Sequence, residues 1–400
     1  MKVVQINAVC NTGSTGRIIC ELSDYLNEKN IENKIFYGSG TTNYKNFVRI
    51  GTEFDHKLHA LLSRITGKQG YFSKLSTKQM LKQIKNFQPD IVHLHNLHAN
   101  YINLPMLFKF LSKENIATVV TLHDCFFYTG KCVHYIGSNC YRWQKECGNC
   151  PQLKNGNASW FFDCTKSMLK DRKKWFSKIS RVGVIGVSKW ITGESKKSLL
   201  SDFESETIYN WIDLEKFKPH KTDVRKKLGL ENKFVILGIS SIWSKAKGLD
   251  DFNKLADMLD DKFKIVLLGQ KNDEINEKIM HLEPTTDVQF LSDLYATSDV
   301  FFNASRMETF GKVTAEALAC GTPVIVYNAT ACPELVGEGC GFVEEVGDVN
   351  SVCRDIINMQ NENKDFSEKC RLFATENFAK EKLLDKTLVF YRKLVGEERG

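Results

Sequence analysis

Apolar residues recur along this chain in short runs bounded by turn residues, while longer stretches between the runs place apolar positions three and four apart. In the first half the short runs predict strands at Val3 to Ala8, Lys34 to Tyr37, Asp90 to His95, Ala117 to Leu122, Val182 to Ser188 and Thr207 to Tyr209. The second half predicts them at Phe234 to Ile239, Lys264 to Leu268, Val288 to Phe290, Val300 to Phe302, Pro323 to Val326 and Gly341 to Val343. Helical spacing fills the intervals, as with Ile18, Ile19, Leu22 and Leu26 after the first run. Alternation of this kind predicts parallel, doubly wound sheets, and two such series predict an α/β protein with two Rossmann-like domains. No short-period repeat or low-complexity tract interrupts them.

A length of 400 residues suits two domains of about 200 each. With 42% hydrophobic and 26% charged residues, the chain has the balance of a globular protein rather than a disordered or membrane-embedded one. No apolar run approaches the ~18 residues that span a bilayer, and Val3 to Val9 is too short and mixed for a signal-peptide core, so a cytoplasmic protein is expected.

Charge divides unevenly. Residues 1–200 carry 29 Lys/Arg against 13 Asp/Glu, and residues 201–400 carry 26 against 35, giving balances of +16 and −9. Residues 57–85 hold seven basic groups (Lys57, Arg64, Lys68, Lys74, Lys78, Lys82 and Lys85) and no acid, interleaved with Leu58, Leu61, Leu62, Ile65, Tyr71, Phe72 and Leu75. Such a stretch reads either as a patch for the inner membrane surface or as a solvated helix face over a core stripe. No recognisable nucleic-acid module accompanies the charge, which argues against that partner.

The richest chemistry lies between Asn303 and Pro323. Lys312 to Cys320 are good helix formers, with Gly321 as the C-terminal stop and Val324-Ile325-Val326 as a buried strand. Glu308 thus falls in the loop before a helix and Glu316 inside it. Backbone N–H groups at Thr309, Phe310, Gly311 and Lys312 form an anion site at the helix start, and two nearby carboxylates can accept hydrogen bonds from sugar hydroxyls. A phosphate with sugars on either side fits that arrangement.

Two further segments and one cluster carry chemistry. After the first strand, Asn11-Thr12-Gly13-Ser14-Thr15-Gly16-Arg17 lets backbone approach a ligand at Gly13 and Gly16, but lacks the full Gly-x-Gly-x-x-Gly dinucleotide fingerprint. His123-Asp124 follows another strand, at the carboxyl edge where open α/β sheets bind ligands, and His93, His95 and His98 sit at the end of a further one. Cys125, Cys132, Cys140, Cys147 and Cys150 crowd into 26 residues. The Cys147-Gly-Asn-Cys150 spacing suggests a structural zinc knuckle completed by Cys132 and Cys140, with free thiols or disulfides as the alternatives.

The segment Glu308-x7-Glu316 resembles the motif of retaining glycosyltransferases of family 4, whose GT-B fold comprises two facing Rossmann-like domains. Asn210 to Pro219 resembles the segment closing the first domain of that family, with Trp211 in place of a glycine, and Gly238 to Gly248 resembles the segment placing basic groups on a donor diphosphate. The resemblance implies that Glu308 contacts the donor sugar, that Glu316 holds the ribose, and that His123 lies beside the transferred sugar. It implies a diphosphate contact for Lys247. The usual arginine is replaced by Ser241 or Ile242, with Lys245 as a substitute cation.

Domains are then expected at 1–214, with a Cys-rich insertion at 125–164, and at 215–379, followed by a helix within 380–400 returning to the first domain. The implied reaction moves a hexosyl group from a UDP- or GDP-sugar to a hydroxyl of a glycan or lipid-linked saccharide, with retention, in bacterial capsular, exo- or lipopolysaccharide synthesis. That would place the enzyme in the cytoplasm or peripherally on the inner face of the plasma membrane. No Asp-x-Asp triplet occurs, so no catalytic metal is expected. A nucleotide-sugar epimerase on the same architecture, or a zinc-stabilised basic binding module without catalysis, are the rival readings.

Overall fold

The computed structural model describes residues 1–271, 273–362 and 365–397. They divide into two compact units, Met1–Ile208 together with the chain from Leu384 onward, and Tyr209–Leu383.

In the first unit seven strands form one sheet. They are β1 (Lys2–Cys10), β2 (Glu32–Gly40), β3 (Phe47–Arg49), β4 (Ile91–Leu94), β5 (Ala117–Leu122), β6 (Val182–Gly186) and β7 (Glu204–Thr207), in the order β3-β2-β1-β4-β5-β6-β7. All its pairings are parallel. Sequence order reverses at β1 and β4, the kind of switch point that opens a crevice at the carboxyl ends of strands. Strands β4, β5 and β6 are buried along their whole length, which is why their sequences, rich in Val, Ile and Leu, show no alternation of apolar and charged positions.

The second unit repeats the scheme with β8 (Phe234–Ile242), β9 (Phe263–Gln270), β10 (Met280–Leu282), β11 (Val300–Asn303), β12 (Val324–Tyr327) and β13 (Gly341–Glu344). Their order is β10-β9-β8-β11-β12-β13, again all parallel. Ile212 bridges Ala379, and Arg371 donates to the carbonyls of Leu214 and Phe217, which ties residues 209–217 into this unit.

One expected strand is a helix. Val288 to Phe290 begins the helix Val288–Thr297. The Asp287 side chain accepts from the N–H groups of Gln289 and Phe290, capping the first turn, and Leu294 and Tyr295 continue a buried helical face. The short edge strands β3 and β10 were not expected; three residues are too few to show a period.

Candidate functional site

In the second unit, β11 leads into the loop that carries Glu308 and then into the helix Lys312–Ala319. Asn303, the last residue of β11, orients that loop: its side-chain Oδ1 accepts from Ser305 N–H at 3.1 Å, and its side-chain Nδ2 donates to Thr314 Oγ1 at 2.9 Å. Gly311 precedes the helix at φ 93°, a left-handed conformation suited to glycine, and no side chain caps the helix start. Thr330 pins the backbone of Glu308 from both sides, its hydroxyl accepting from Glu308 N–H at 2.8 Å and donating to Glu308 C=O at 2.7 Å.

Lys247 and Glu308, 61 residues apart, meet in an ion pair with Nζ to Oε1 at 2.6 Å. Their approach depends on Gly248, where an added Cβ would lie 2.3 Å from the Cβ of Ala304. Glu316 is buried, and the Tyr295 hydroxyl donates to its Oε2 at 3.1 Å. Lys245 points outward, with 82% of its side chain exposed and Asp250 3.8 Å away. Phe310 is turned away from the helix start into an aromatic cluster with Tyr209 and Phe378, so at that position only backbone is presented.

Two residues here escaped sequence reasoning. Arg306 joins Asp251 at 2.8 Å and donates to the Lys245 carbonyl at 3.0 Å, which binds the Lys245–Lys247 turn to the Glu308 loop. Tyr295 supports Glu316 from the helix Val288–Thr297. Arg306 stands two residues before Glu308, but its acidic partner is remote in sequence, and nothing local marks Tyr295.

In the first unit, Gly13 opens the helix Gly13–Glu28 at φ 65°, with nothing within 4 Å of where its Cβ would be. Gly16 is closely packed instead, since a Cβ there would lie 3.1 Å from the Asn11 nitrogen. The two glycines thus do different work: Gly13 leaves open space and Gly16 seals the turn.

Three histidines gather at the ends of β4 and β5. Gln5 fixes their protonation pattern. Its amide nitrogen donates to Ile19 C=O at 3.3 Å, so its oxygen faces His95 Nε2 at 3.2 Å and must accept a hydrogen bond from an N–H there. Burial, followed by the neighbouring imidazoles, holds His95 well below its ordinary pKa, so the ring is neutral and its Nδ1 is an acceptor. The contact of His95 Nδ1 with His123 Nε2 at 3.0 Å is therefore donated by His123. His123, itself pushed down to about 4 by burial, is thus a neutral imidazole with an unprotonated Nδ1. His93 is buried between Thr121 and Tyr391, a packed histidine rather than a site group.

His98 contacts Asp124 at 2.9 Å, and Asp124 also accepts from Phe126 N–H at 2.8 Å. Burial works against the Asp124 carboxylate, but these partners outweigh it and lower its pKa.

The Cys-rich insertion follows directly. Cys132, Cys140, Cys147 and Cys150 line one cavity of about 20 Å³. All are free thiols, and among the described residues no group of three or more His, Cys, Asp or Glu side chains stands where it could hold a metal ion. The four thiols converge without forming a finished ligand set.

The comparisons with known proteins agree with this architecture. The family model described as Glycosyltransferase Family 4 matches residues 15–216, and that described as Glycosyl transferases group 1 matches residues 220–376. N-acetyl-alpha-D-glucosaminyl L-malate synthase of Bacillus anthracis is 28% identical over 232 residues, 54% of this chain and 61% of that protein. The chain thus spans about three fifths of that relative's length. The putative colanic acid biosynthesis glycosyl transferase WcaC of Escherichia coli is 21% identical over 359 residues, 85% of this chain and 86% of that protein. Among solved structures, sucrose-phosphate synthase from Thermosynechococcus elongatus has a TM-score of 0.73 at 14% identity, with 100% of both chains covered. HepE of Anabaena, solved in complex with UDP, has a TM-score of 0.68 at 14% identity, covering 98% of this chain and 100% of that one. Likeness at such identities is one of fold. The matched half of the chain and the paired parallel sheets place this protein in glycosyltransferase family 4, as an enzyme of the GT-B class.

Proposed function

We propose that this protein transfers a hexosyl group from a UDP- or GDP-sugar to a hydroxyl of a saccharide acceptor, with retention of anomeric configuration, in the assembly of a bacterial surface polysaccharide. The observation that supports it most is the Lys247–Glu308 ion pair beside an uncapped helix start, with Glu316 one buried step further along the same helix. Without ligand, the ammonium satisfies the carboxylate. A donor diphosphate at the helix start competes for Lys247 and releases Glu308 to accept hydrogen bonds from the donor sugar. Glu316, kept in place by Tyr295, accepts from the ribose hydroxyls. The C1–O bond to the diphosphate then breaks, the acceptor oxygen bonds to C1 on the same face, and the acceptor proton passes to the departing phosphate. Lys247 and the N–H groups from Thr309 to Lys312 stabilise the charge on that leaving group.

In this reading the first unit supplies the Gly13–Gly16 turn to the acceptor side and His123 to the transferred sugar. A neutral His123 can accept a hydrogen bond from a sugar hydroxyl without adding charge. The polysaccharide context is supported by the colanic acid relative, and the nucleotide by the UDP held in HepE.

Two variants test the assignment. Glu316→Ala should weaken donor nucleotide binding by roughly tenfold or more, as loss of a charged hydrogen-bond acceptor implies. Glu308→Ala should lower turnover by on the order of a hundredfold with little change in nucleotide affinity. Isothermal titration with UDP and GDP, together with donor consumption, reads both. Wild-type behaviour in both variants refutes the site, and an isomerised sugar nucleotide with no new glycoside makes the protein an epimerase.

We also propose that zinc holds the insertion, through Cys132, Cys140, Cys147 and Cys150. The shared cavity supports this, as do backbone N–H donors at Gln152 and Gly130 facing the sulfurs of Cys150 and Cys147. The side chains must turn inward to bind, and the metal would be structural. Purified protein should contain about one zinc per chain by elemental analysis, lost on replacing Cys147 and Cys150 with Ser. Metal-free wild type, or zinc retained in the double variant, disproves it.

A further inference from the structure

The helices Lys74–Phe87 and Leu104–Lys113 leave an open groove of about 600 Å³ on the first unit. Leu81, Met106 and Phe110 supply its apolar lining, and five lysines border it: Lys78, Lys82 and Lys85 on one helix, Lys109 and Lys113 on the other. The spacing explains the border, because residues 78, 82 and 85 share one helical face, as do 109 and 113. Glu114 is the single acid there, and it is engaged with Lys85 at 2.9 Å. Among the described residues, no acidic group lies within the 4.0 Å of an ion pair from Lys78, Lys82, Lys109 or Lys113. On the same helix Leu75 stands 79% exposed.

Like charges four apart on a helix repel, so nothing in the stability of the unit accounts for a ring of ammonium groups around an apolar trough. Both halves of the arrangement are matched by one chemistry. Anionic phospholipid offers phosphates to the lysines and an acyl chain to the trough. A polynucleotide would pair with the lysines but leave Leu81, Met106 and Phe110 unmatched, and an apolar peptide would do the reverse. We propose that this groove docks the protein on an anionic membrane surface, with the lysines at the headgroup phosphates and Leu81, Met106 and Phe110 against an acyl chain. The inference is independent of the sugar donor, since binding is read with no nucleotide present.

Cosedimentation of the full chain with lipid vesicles tests it. Vesicles of phosphatidylcholine containing phosphatidylglycerol should retain the protein, and those of phosphatidylcholine alone should not. The combined change Lys82→Glu, Lys109→Glu and Lys113→Glu should lower partitioning by on the order of a hundredfold, and Arg at the same three positions should preserve it. Phe110→Ser should reduce the binding that survives at high salt, where screening leaves the apolar contact. Equal retention on both vesicle types, or wild-type binding by the triple Glu variant, overturns the proposal. So does loss of binding in an Arg variant that keeps the wild-type circular dichroism spectrum and urea midpoint, since its charge is intact. Binding abolished instead by changes at Lys57, Arg64 and Lys68 moves the contact to the helix Glu53–Thr66 and equally refutes the groove.

Discussion

The orientation of His123 depends on a residue two strands away. Gln5 on β1 reads as core from its neighbours, yet its amide sets the proton on His95 and, through it, the tautomer of His123. Gln5→Leu keeps the volume but leaves a buried imidazole N–H without an acceptor, which costs about 1–3 kcal/mol. A lower urea midpoint with an unchanged slope should show this. If His123 contacts the transferred sugar, turnover should also fall more than stability alone explains, with its acidic pH limb displaced. Equal stability and an unmoved pH profile would show that Gln5 positions nothing. His123 itself was legible in the sequence, because a histidine at a strand's carboxyl end is marked by topology. Gln5 was not, since its role arises from contacts with residues 14 and 90 positions away. Arg306 was hidden for the same reason, its acidic partner being 55 residues distant.

Elements were readable where apolar runs were long. The central strands and the helix Lys312–Ala319 follow from pattern and breakers, whereas Val288 to Phe290 misled because three residues of alternation look alike in a strand and in a capped first turn. The helix Lys380–Val395 is the harder case, as nothing in its own spacing says where it packs. In the structure Tyr391 meets His93 at 2.5 Å, Asp385 accepts from the Tyr25 hydroxyl, and Lys393 pairs with Glu204. Phe390 fits against Gly183, where a Cβ would lie 2.7 Å from the ring. These contacts differ in weight. Tyr391→Phe leaves a buried histidine nitrogen without its partner and should destabilise the first unit by about 1–3 kcal/mol. Lys393→Ala removes a largely exposed, solvent-screened ion pair and should cost much less. Chemical denaturation of the two variants side by side decides it, and a reversed order would mean that the helix is held by charge.

At the scale of the whole molecule the two units differ in more than net charge, because their histidines are perturbed in opposite directions. In the first unit burial is the leading cause that pushes His59 and His123 down to about 4 from 6.5, and it holds His93 and His95 well below that value. The unfolded chain takes up these protons near pH 6.5 while the folded unit does not, so stability is complete above 6.5 and falls as the pH drops towards 4. At pH 5 a group shifted by that much costs about 2 kcal/mol. In the second unit His220 is raised, first by its hydrogen bond to Asp293 at 2.7 Å. Its contribution is complete below 6.5 and is lost as the pH rises through the higher folded value. Acidification from pH 7.5 to pH 5 should therefore weaken the first unit selectively. Hydrogen exchange at the two pH values should show faster opening of β4, β5 and β6 with little change in β8, β11 and β12. His59→Gln should flatten the pH dependence of the first unit by up to one proton across this window, since it removes one buried group that must stay neutral. Uniform acceleration across both sheets, or an unchanged slope in that variant, would mean that the buried imidazoles do not govern acid stability.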